Sequence, residues 1–297
     1  MSSVRNSVTD YADKVLSGEI IAGEHVRNSC KRHKKDLKRD DIYFDTDAVK
    51  RLEGFFSQVL SLSEGQFEGK PFDLEPCQKF ILGSIFGWKR KDGTRRFRRA
   101  FIEMGKGNGK SPLSAGIGLY GLMADGENGA QIYAAAAKRD QAMITFNDAV
   151  NMVRQSPALE ERVTPSGINP VWNLADLKTG SFFRPVSRDS GKSGSGVRPH
   201  FALCDEIHEH PDRSIMEMLE RGFKFRKQPL LLMITNSGSD KNSVCWEEHA
   251  HAVDVASGDM IDDTSFSYVC ALDEGDDPLN DESCWIKVNP LLDVILT

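Results

Sequence analysis

The sequence predicts a layered α/β domain: a sheet flanked by helices, with a helical extension at its N-terminus. Short apolar runs alternate with helical stretches, which is the pattern of such a layered fold. The runs are FRRAFIE (Phe97 to Glu103), QIYAAAA (Gln131 to Ala137), HFALCD (His200 to Asp205) and PLLLMIT (Pro229 to Thr235). The last two are almost continuously apolar, as expected of central parallel strands covered on both faces. A glycine-rich loop, MGKGNGKS (Met104 to Ser111), follows the first run directly.

The front of the chain reads as helical from about 8 to 38, with Tyr11, Val15, Ile20, Ile21 and Val26 as apolar positions. Its basic tail CKRHKKDLKRD reads as a solvated helix end, and a second helical stretch runs from about 47 to 62. After about Ser257 the chain turns acidic and turn-rich, DEGDDPLNDES, as in a linker or small subdomain. The expected organisation is therefore a helical region over 1–70, a core over 71–256 and a trailing segment over 257–297.

A chain of 297 residues can bury a large core plus a smaller attached element. Its 39% hydrophobic and 28% charged content are ordinary for a globular protein. The net charge of −6 gives no global attraction to nucleic acid, so any such contact must be local. No apolar run approaches the ~20 residues of a membrane span, and MSSVRNSVTDYADK has no apolar signal core. Six cysteines without CxxC pairs point to reduced thiols. Cys245, His249 and His251 could hold a metal, but a second ligand pair at zinc spacing is missing.

The loop carries the chemistry. Gly105, Gly107 and Gly109 can turn sharply and bring backbone N–H groups close to phosphate. Lys110 and Ser111 follow, the pair that reaches terminal phosphates and coordinates Mg²⁺. Pro112 suits a first helical turn, and Leu113, Ile117 and Tyr120 continue at helical spacing. The loop Gly105, Lys106, Gly107, Asn108, Gly109, Lys110, Ser111 and Pro112 is thus the expected nucleotide cradle at a helix N-terminus. Met104 stands where such a loop's first glycine belongs, and the bland reading is a glycine-rich surface turn.

The strand HFALCD supplies the second half. Asp205 is expected to hold the Mg²⁺ shell with Ser111, and Glu206 to polarise the attacking water. The strand before TNSGSD delivers Thr235, Asn236 and Ser237 to the same sheet edge, where a polar side chain can sense a γ-phosphate. Gln78, in FDLEPCQKFI, is either an adenine-reading amide or a helix-surface glutamine. Together these define a P-loop NTPase of the ASCE/RecA-like type.

With these residues assembled, the chain resembles the large terminase subunit of tailed bacteriophages. The resemblance runs from YADKVLSGEIIAGEHV to WIKVNPLL (Trp285 to Leu292). It is carried above all by DEIHEHPDRSIMEMLERGFKFRKQPLLLMITNSGSD (Asp205 to Asp240). The family's phosphate loops commonly lack the first glycine and carry an internal basic residue, here Lys106. The resemblance implies that Lys106 contacts the γ-phosphate beside Lys110, and that Gln78 reads adenine. It makes Asp205 the metal ligand, Glu206 the catalytic carboxylate and Asn236 part of the coupling motif. It also implies an ATP- and Mg²⁺-dependent hydrolase that drives double-stranded DNA into a procapsid in the host cytoplasm, as a homo-oligomeric ring with the portal protein and small terminase subunit as partners. Family members continue into a nuclease domain, so this chain is expected to be the ATPase portion, with no nuclease activity of its own.

Two features stay open at this level. KRKDGTRRFRR (Lys89 to Arg99) reads either as a phosphate-contacting hairpin or as an edge hairpin kept soluble by charge. Ring ATPases usually take an arginine from a neighbour, and Arg188 and Arg198 in SRDSGKSGSGVRPH are the candidates. The rival functions are a nucleotide-binding assembly and docking module with little hydrolysis, and a helicase-like ATPase.

Overall fold

The structure, a computed structural model, describes residues 6–63, 65–187 and 196–295. In chain order its elements are α1 (Ser7–Ser17), α2 (Glu24–Asp36), β1 (Ile42–Phe44), α3 (Thr46–Val59), α4 (Pro76–Gly87), β2 (Trp88–Arg90), β3 (Arg99–Glu103) and α5 (Lys110–Met123). There follow β4 (Gln131–Ala136), α6 (Arg139–Gln155), α7 (Pro157–Glu160), β5 (Val163–Ser166), β6 (Asn173–Asp176), β7 (Ser181–Ser187), β8 (Phe201–Cys204), α8 (Ser214–Arg221), β9 (Leu230–Thr235), α9 (Val244–Ser257) and β10 (Ser265–Val269). They form two compact units, one of residues 1–52, 74–108 and 235–297, the other of 53–73 and 109–234.

The second unit holds the larger sheet, in the order β9-β8-β4-β7-β6-β5. The first four of these strands are parallel, and β6 and β5 extend the sheet antiparallel. Helices α5 and α6 share one face, since Gly118 of α5 and Phe146 of α6 both meet Phe183 of β7. An added Cβ at Gly118 would stand 2.5 Å from the Phe183 ring, and one at Gly121 2.4 Å from Phe201. Both glycines let α5 lie flush on the strands, so the phosphate-loop helix is held rigidly.

In the first unit β3 pairs parallel with β10, and β1 pairs antiparallel with β2. Strand β10, SFSYV, is buried throughout although it falls in the trailing acidic segment and carries Ser265 and Ser267. The expected helix over 8–38 is interrupted: Gly18, at φ 82°, caps α1 by donating to the Val15 carbonyl, and α2 begins after Gly23. Ile20 and Ile21 therefore sit in the connection, Ile21 exposed.

The basic tail of α2 is less solvated than its composition suggests. Cys30, His33 and Asp36 are buried, and Arg32 donates to the carbonyls of Ser265 and Asp262. His33 lies 3.0 Å from Thr9 Oγ1 through Nε2 and accepts from Trp88 Nε1 through Nδ1. Burial lowers its pKa from 6.5 to about 4. Its neutral ring thus favours folding above pH 6.5, and this contribution is lost as pH falls through about 4. Urea unfolding between these pH values is expected to show a decline in stability that His33→Gln reduces.

Three arginines of the hairpin, Arg95, Arg96 and Arg99, are built into the fold. Arg95 and Arg96 are at most 1% exposed. Arg95 packs over the Phe86 ring, while Arg96 bonds Asp36 at 2.7 Å and Asp263 at 2.8 Å. Arg99 bonds the Glu248 carboxylate with two contacts of 3.0 Å. Hydrogen bonds from Arg39 and Arg96 hold the Asp263 carboxyl far below the usual carboxylate range. Arg96→Ala leaves the buried Asp36 with the longer contacts of Arg39, at 3.4 Å, and Arg32, at 3.9 Å. In chemical denaturation it is expected to cost somewhat less than the about 3–5 kcal/mol of a fully uncompensated buried charge.

Candidate active site

In the second unit Lys110, Ser111, Asp205 and Glu206 belong to one neighbourhood. Strand β8 delivers Asp205 beyond Cys204, where its N–H donates to the Ala135 carbonyl of β4 at 2.9 Å. Ser111, in the first turn of α5, donates to Asp205 Oδ2 at 3.3 Å. The same oxygen accepts from Thr145 Oγ1 of α6 at 2.8 Å, and Oδ1 accepts the Glu206 N–H at 2.9 Å. His210 Nε2 lies 3.0 Å from the Asp205 carbonyl. The carboxylate is thus oriented from three sides. A hydroxyl and a carboxylate this close form a hard-oxygen pair that suits Mg²⁺, which takes few protein ligands and leaves positions for phosphate and water.

Glu206 is held at φ 50°, ψ 55°, a left-handed conformation uncommon for a glutamate. Strain of this kind, about 1–3 kcal/mol, persists where surrounding structure enforces it and is frequent at functional sites. His208 Nδ1 stands 3.2 Å from Glu206 Oε2. Burial, then the Asp205 charge, raise the Glu206 pKa, with His208 and Lys110 opposing. A carboxylate with a raised pKa is a better proton acceptor, as base chemistry requires.

In the first unit Gly105, Lys106, Gly107 and Asn108 form the beginning of the loop. Lys106 is exposed, and Gly107 is left-handed at φ 85°. Gly109, the residue before α5, is left-handed at φ 63°. Asn108 is fully buried and turns inward. Its Nδ2 donates to the Gly105 carbonyl and to Asn289 Oδ1, both at 3.0 Å, and its Oδ1 accepts the Leu291 N–H at 3.1 Å. The side chain expected to help cradle phosphate instead fastens the loop to the Asn289-Pro290 segment. Gly105 donates to the Val288 carbonyl, and an added Cβ there would stand 2.1 Å from Asn289 Oδ1. Gly105→Ala is therefore expected to distort the loop and weaken nucleotide binding by more than about tenfold, or 1.4 kcal/mol, in calorimetric titration.

Gln78 is buried in the first turn of α4, where its Oε1 accepts the Glu75 N–H at 3.0 Å. Asn236 follows β9, half-buried. Arg198 stands before β8, at the opposite end of that strand from Asp205, with its guanidinium 4.5 Å above the Phe225 ring. Arg188 lies outside the described residues. Cys245, His249 and His251 do not converge. Cys245 Sγ is 3.7 Å from Thr235 Oγ1, His249 contacts Glu103, and His251 Nε2 is 3.5 Å from Asp262. Among the described residues no group of three or more His, Cys, Asp or Glu is arranged for a metal. Two acids of DEGDDPLNDE are used internally: Lys287 bridges Asp273 and Asp276, and Arg27 bonds Asp273.

Thr145, His208, His210 and Asn289 are the site residues that the sequence did not reveal. Thr145 and His210 are ordinary polar residues until the fold brings them to Asp205. Asn289-Pro290 had a signal, the resemblance of that stretch, but nothing tied it to the loop.

A mainly parallel sheet with a glycine-rich loop opening a helix, and adjacent acids following one of its parallel strands, define a P-loop ATPase-type domain of the ASCE kind. The chain belongs to the family of the terminase large subunit, ATPase domain, whose sequence profile matches residues 76–253. It is similar to the terminase large subunit of Enterobacteria phage HK97, with 26% identity over 249 residues, 82% of this chain and 46% of that one. The Lactococcus phage SK1 terminase large subunit is 22% identical over 301 residues, 95% of this chain and 52% of its own. The crystal structure of the HK97 large terminase superposes with a TM-score of 0.70 at 25% identity, over 84% of this chain and 49% of that one. The chain thus spans about half the length of these relatives. Among the described residues no helix is long and apolar enough to cross a membrane.

Proposed function

We propose that this domain binds and hydrolyses ATP with Mg²⁺, and that the hydrolysis drives double-stranded viral DNA into a procapsid. The observation that carries the chemistry is the meeting of Ser111, Asp205 and the strained Glu206 beside Lys110. Lys110 and the N-terminus of α5 attract the phosphates. Ser111 and Asp205 would hold Mg²⁺, which when bound neutralises charge on the phosphate oxygens. Glu206 accepts a proton from the attacking water, and His208 steadies its carboxylate. Lys106 adds positive charge at the γ-phosphate, Gln78 contributes to base recognition, and Asn236 senses the γ-phosphate.

Membership of the terminase family supports the motor reading. On that reading the chain works in the host cytoplasm as a ring of like subunits, with portal protein and small terminase subunit as partners. Residues 1–70 form a helical region and 71–256 the ATPase core, to which the 257–297 segment adds β10, the buried strand beside β3. A Mg²⁺-dependent ATPase assay with and without double-stranded DNA tests the proposal. Turnover that needs Mg²⁺ and rises with DNA is expected. Tight ATP binding without turnover under any condition would favour a docking module instead.

A further inference from the structure

Three segments of the first unit meet at one buried carboxylate. Glu103 is the last residue of β3, two positions before Gly105, and its side chain is 4% exposed. Ser237 Oγ donates to Glu103 Oε1 at 2.7 Å. His249 Nδ1, from α9, lies 2.8 Å from Oε2. Trp246, one turn earlier on α9, stacks on the His249 ring at 5.1 Å and 15°. The neighbouring backbone is fixed as well, for the Glu103 carbonyl accepts the Cys270 N–H and Met104 donates to the Thr235 carbonyl.

The chemistry of this cluster is asymmetric. A carboxylate with two acceptor oxygens serves both donors, whereas an amide in its place could not accept from both. The contact with His249 is largely shielded from water, and a carboxylate accepting an imidazole N–H there is short and strong. Ser237 is exposed, so its hydroxyl exchanges Glu103 for water at small net cost. One bond is therefore durable and the other is easily made and broken. The breakable one belongs to the residue after Asn236, and the durable one to helix α9.

We propose that Glu103 is a positioning residue that passes movement of the Asn236-Ser237 segment to α9, with the Ser237–Glu103 hydrogen bond as the element that switches. The proposal rests on the ATPase reading above, because nucleotide at the phosphate loop is what would displace that segment. Trp246, stacked on His249, supplies an optical report of that element.

The test is tryptophan emission on addition of a non-hydrolysable ATP analogue with Mg²⁺, with affinity measured separately by calorimetry. The wild-type chain is expected to show an emission change that Trp246→Phe removes. Ser237→Ala should abolish most of that change while affinity stays within about threefold, and Ser237→Thr, which keeps the hydroxyl, should restore it. Glu103→Gln should also lose the response. If that buried change prevents folding, the exposed Ser237 pair decides. A full Trp246 response in Ser237→Ala, a failure of Ser237→Thr to restore it, or a wild-type chain that binds the analogue without any Trp246 response overturns the proposal. Absence of binding in calorimetry would instead remove the ATPase reading, and this one with it.

Discussion

Glu206→Gln is expected to leave ATP binding nearly intact and to lower turnover by about 10²–10⁴-fold, the usual weight of a positioned general base. Glutamine preserves the length of the side chain and an oxygen that can face His208, which stands 3.2 Å from Glu206 Oε2 in the parent. What it removes is the negative charge proposed to take up the water's proton. The proposed phosphate contacts belong to other groups, Lys110 and the N-terminus of α5, so the ground state is expected to keep its partners. Lys110→Ala should do the reverse. The loss of one charge-assisted contact, about 1.5–3 kcal/mol, weakens binding roughly 10- to 100-fold. Titration of the free protein gives an independent check. Burial and the Asp205 charge raise the Glu206 pKa, so without Mg²⁺ and nucleotide this carboxylate should titrate above the ordinary glutamate range. Glu206→Gln turning over near the parent rate would show that another group is the base.

The parts of this site that could be read from the sequence are those where one short stretch carries both the chemistry and its structural setting. Residues 97–111 contain an apolar strand, a glycine-rich turn and a helix start, and 200–206 contain an apolar strand ending in acids. Backbone requirements and reactive groups are contiguous there. Features that depend on long-range pairing were hidden. Arg96 reads as a surface charge until Asp36 and Asp263 are found beside it. Ser265 and Ser267 make β10 look like a loop, yet the strand pairs with β3 and the Ser267 carbonyl accepts from Ser29. Strands β5 and β6 are four residues each, too short and too polar to signal themselves. Asn108 is polar and lies inside a phosphate loop, so it reads as a ligand contact. Only the partnership with Asn289 shows that it faces inward.

If the domain works as a ring, Arg198→Ala is expected to lower the hydrolysis rate per subunit by about 10³–10⁵, the range known for arginines supplied to such sites. Arg198 precedes β8, while Asp205 and Glu206 follow it. At ~3.3 Å per residue the four-residue strand alone holds them about 10 Å apart. Its N–H donates to Gln131 Oε1, its carbonyl accepts from Arg226 Nε, and its guanidinium lies over Phe225. An arginine anchored at that end serves a neighbour's site more readily than its own. Nucleotide affinity in Arg198→Ala should stay close to that of the parent, because the missing charge acts on the transition state. The parent's rate per subunit should rise steeply with protein concentration as neighbours meet. Mixing inactive Arg198→Ala chains with inactive Glu206→Gln chains should then restore activity, since a subunit with an intact Glu206 gains a neighbour with an intact Arg198. A rate that is flat across dilution, with no recovery on mixing, would mean that each chain completes its own site. Lys106, exposed in the phosphate loop, would then be the cation to replace.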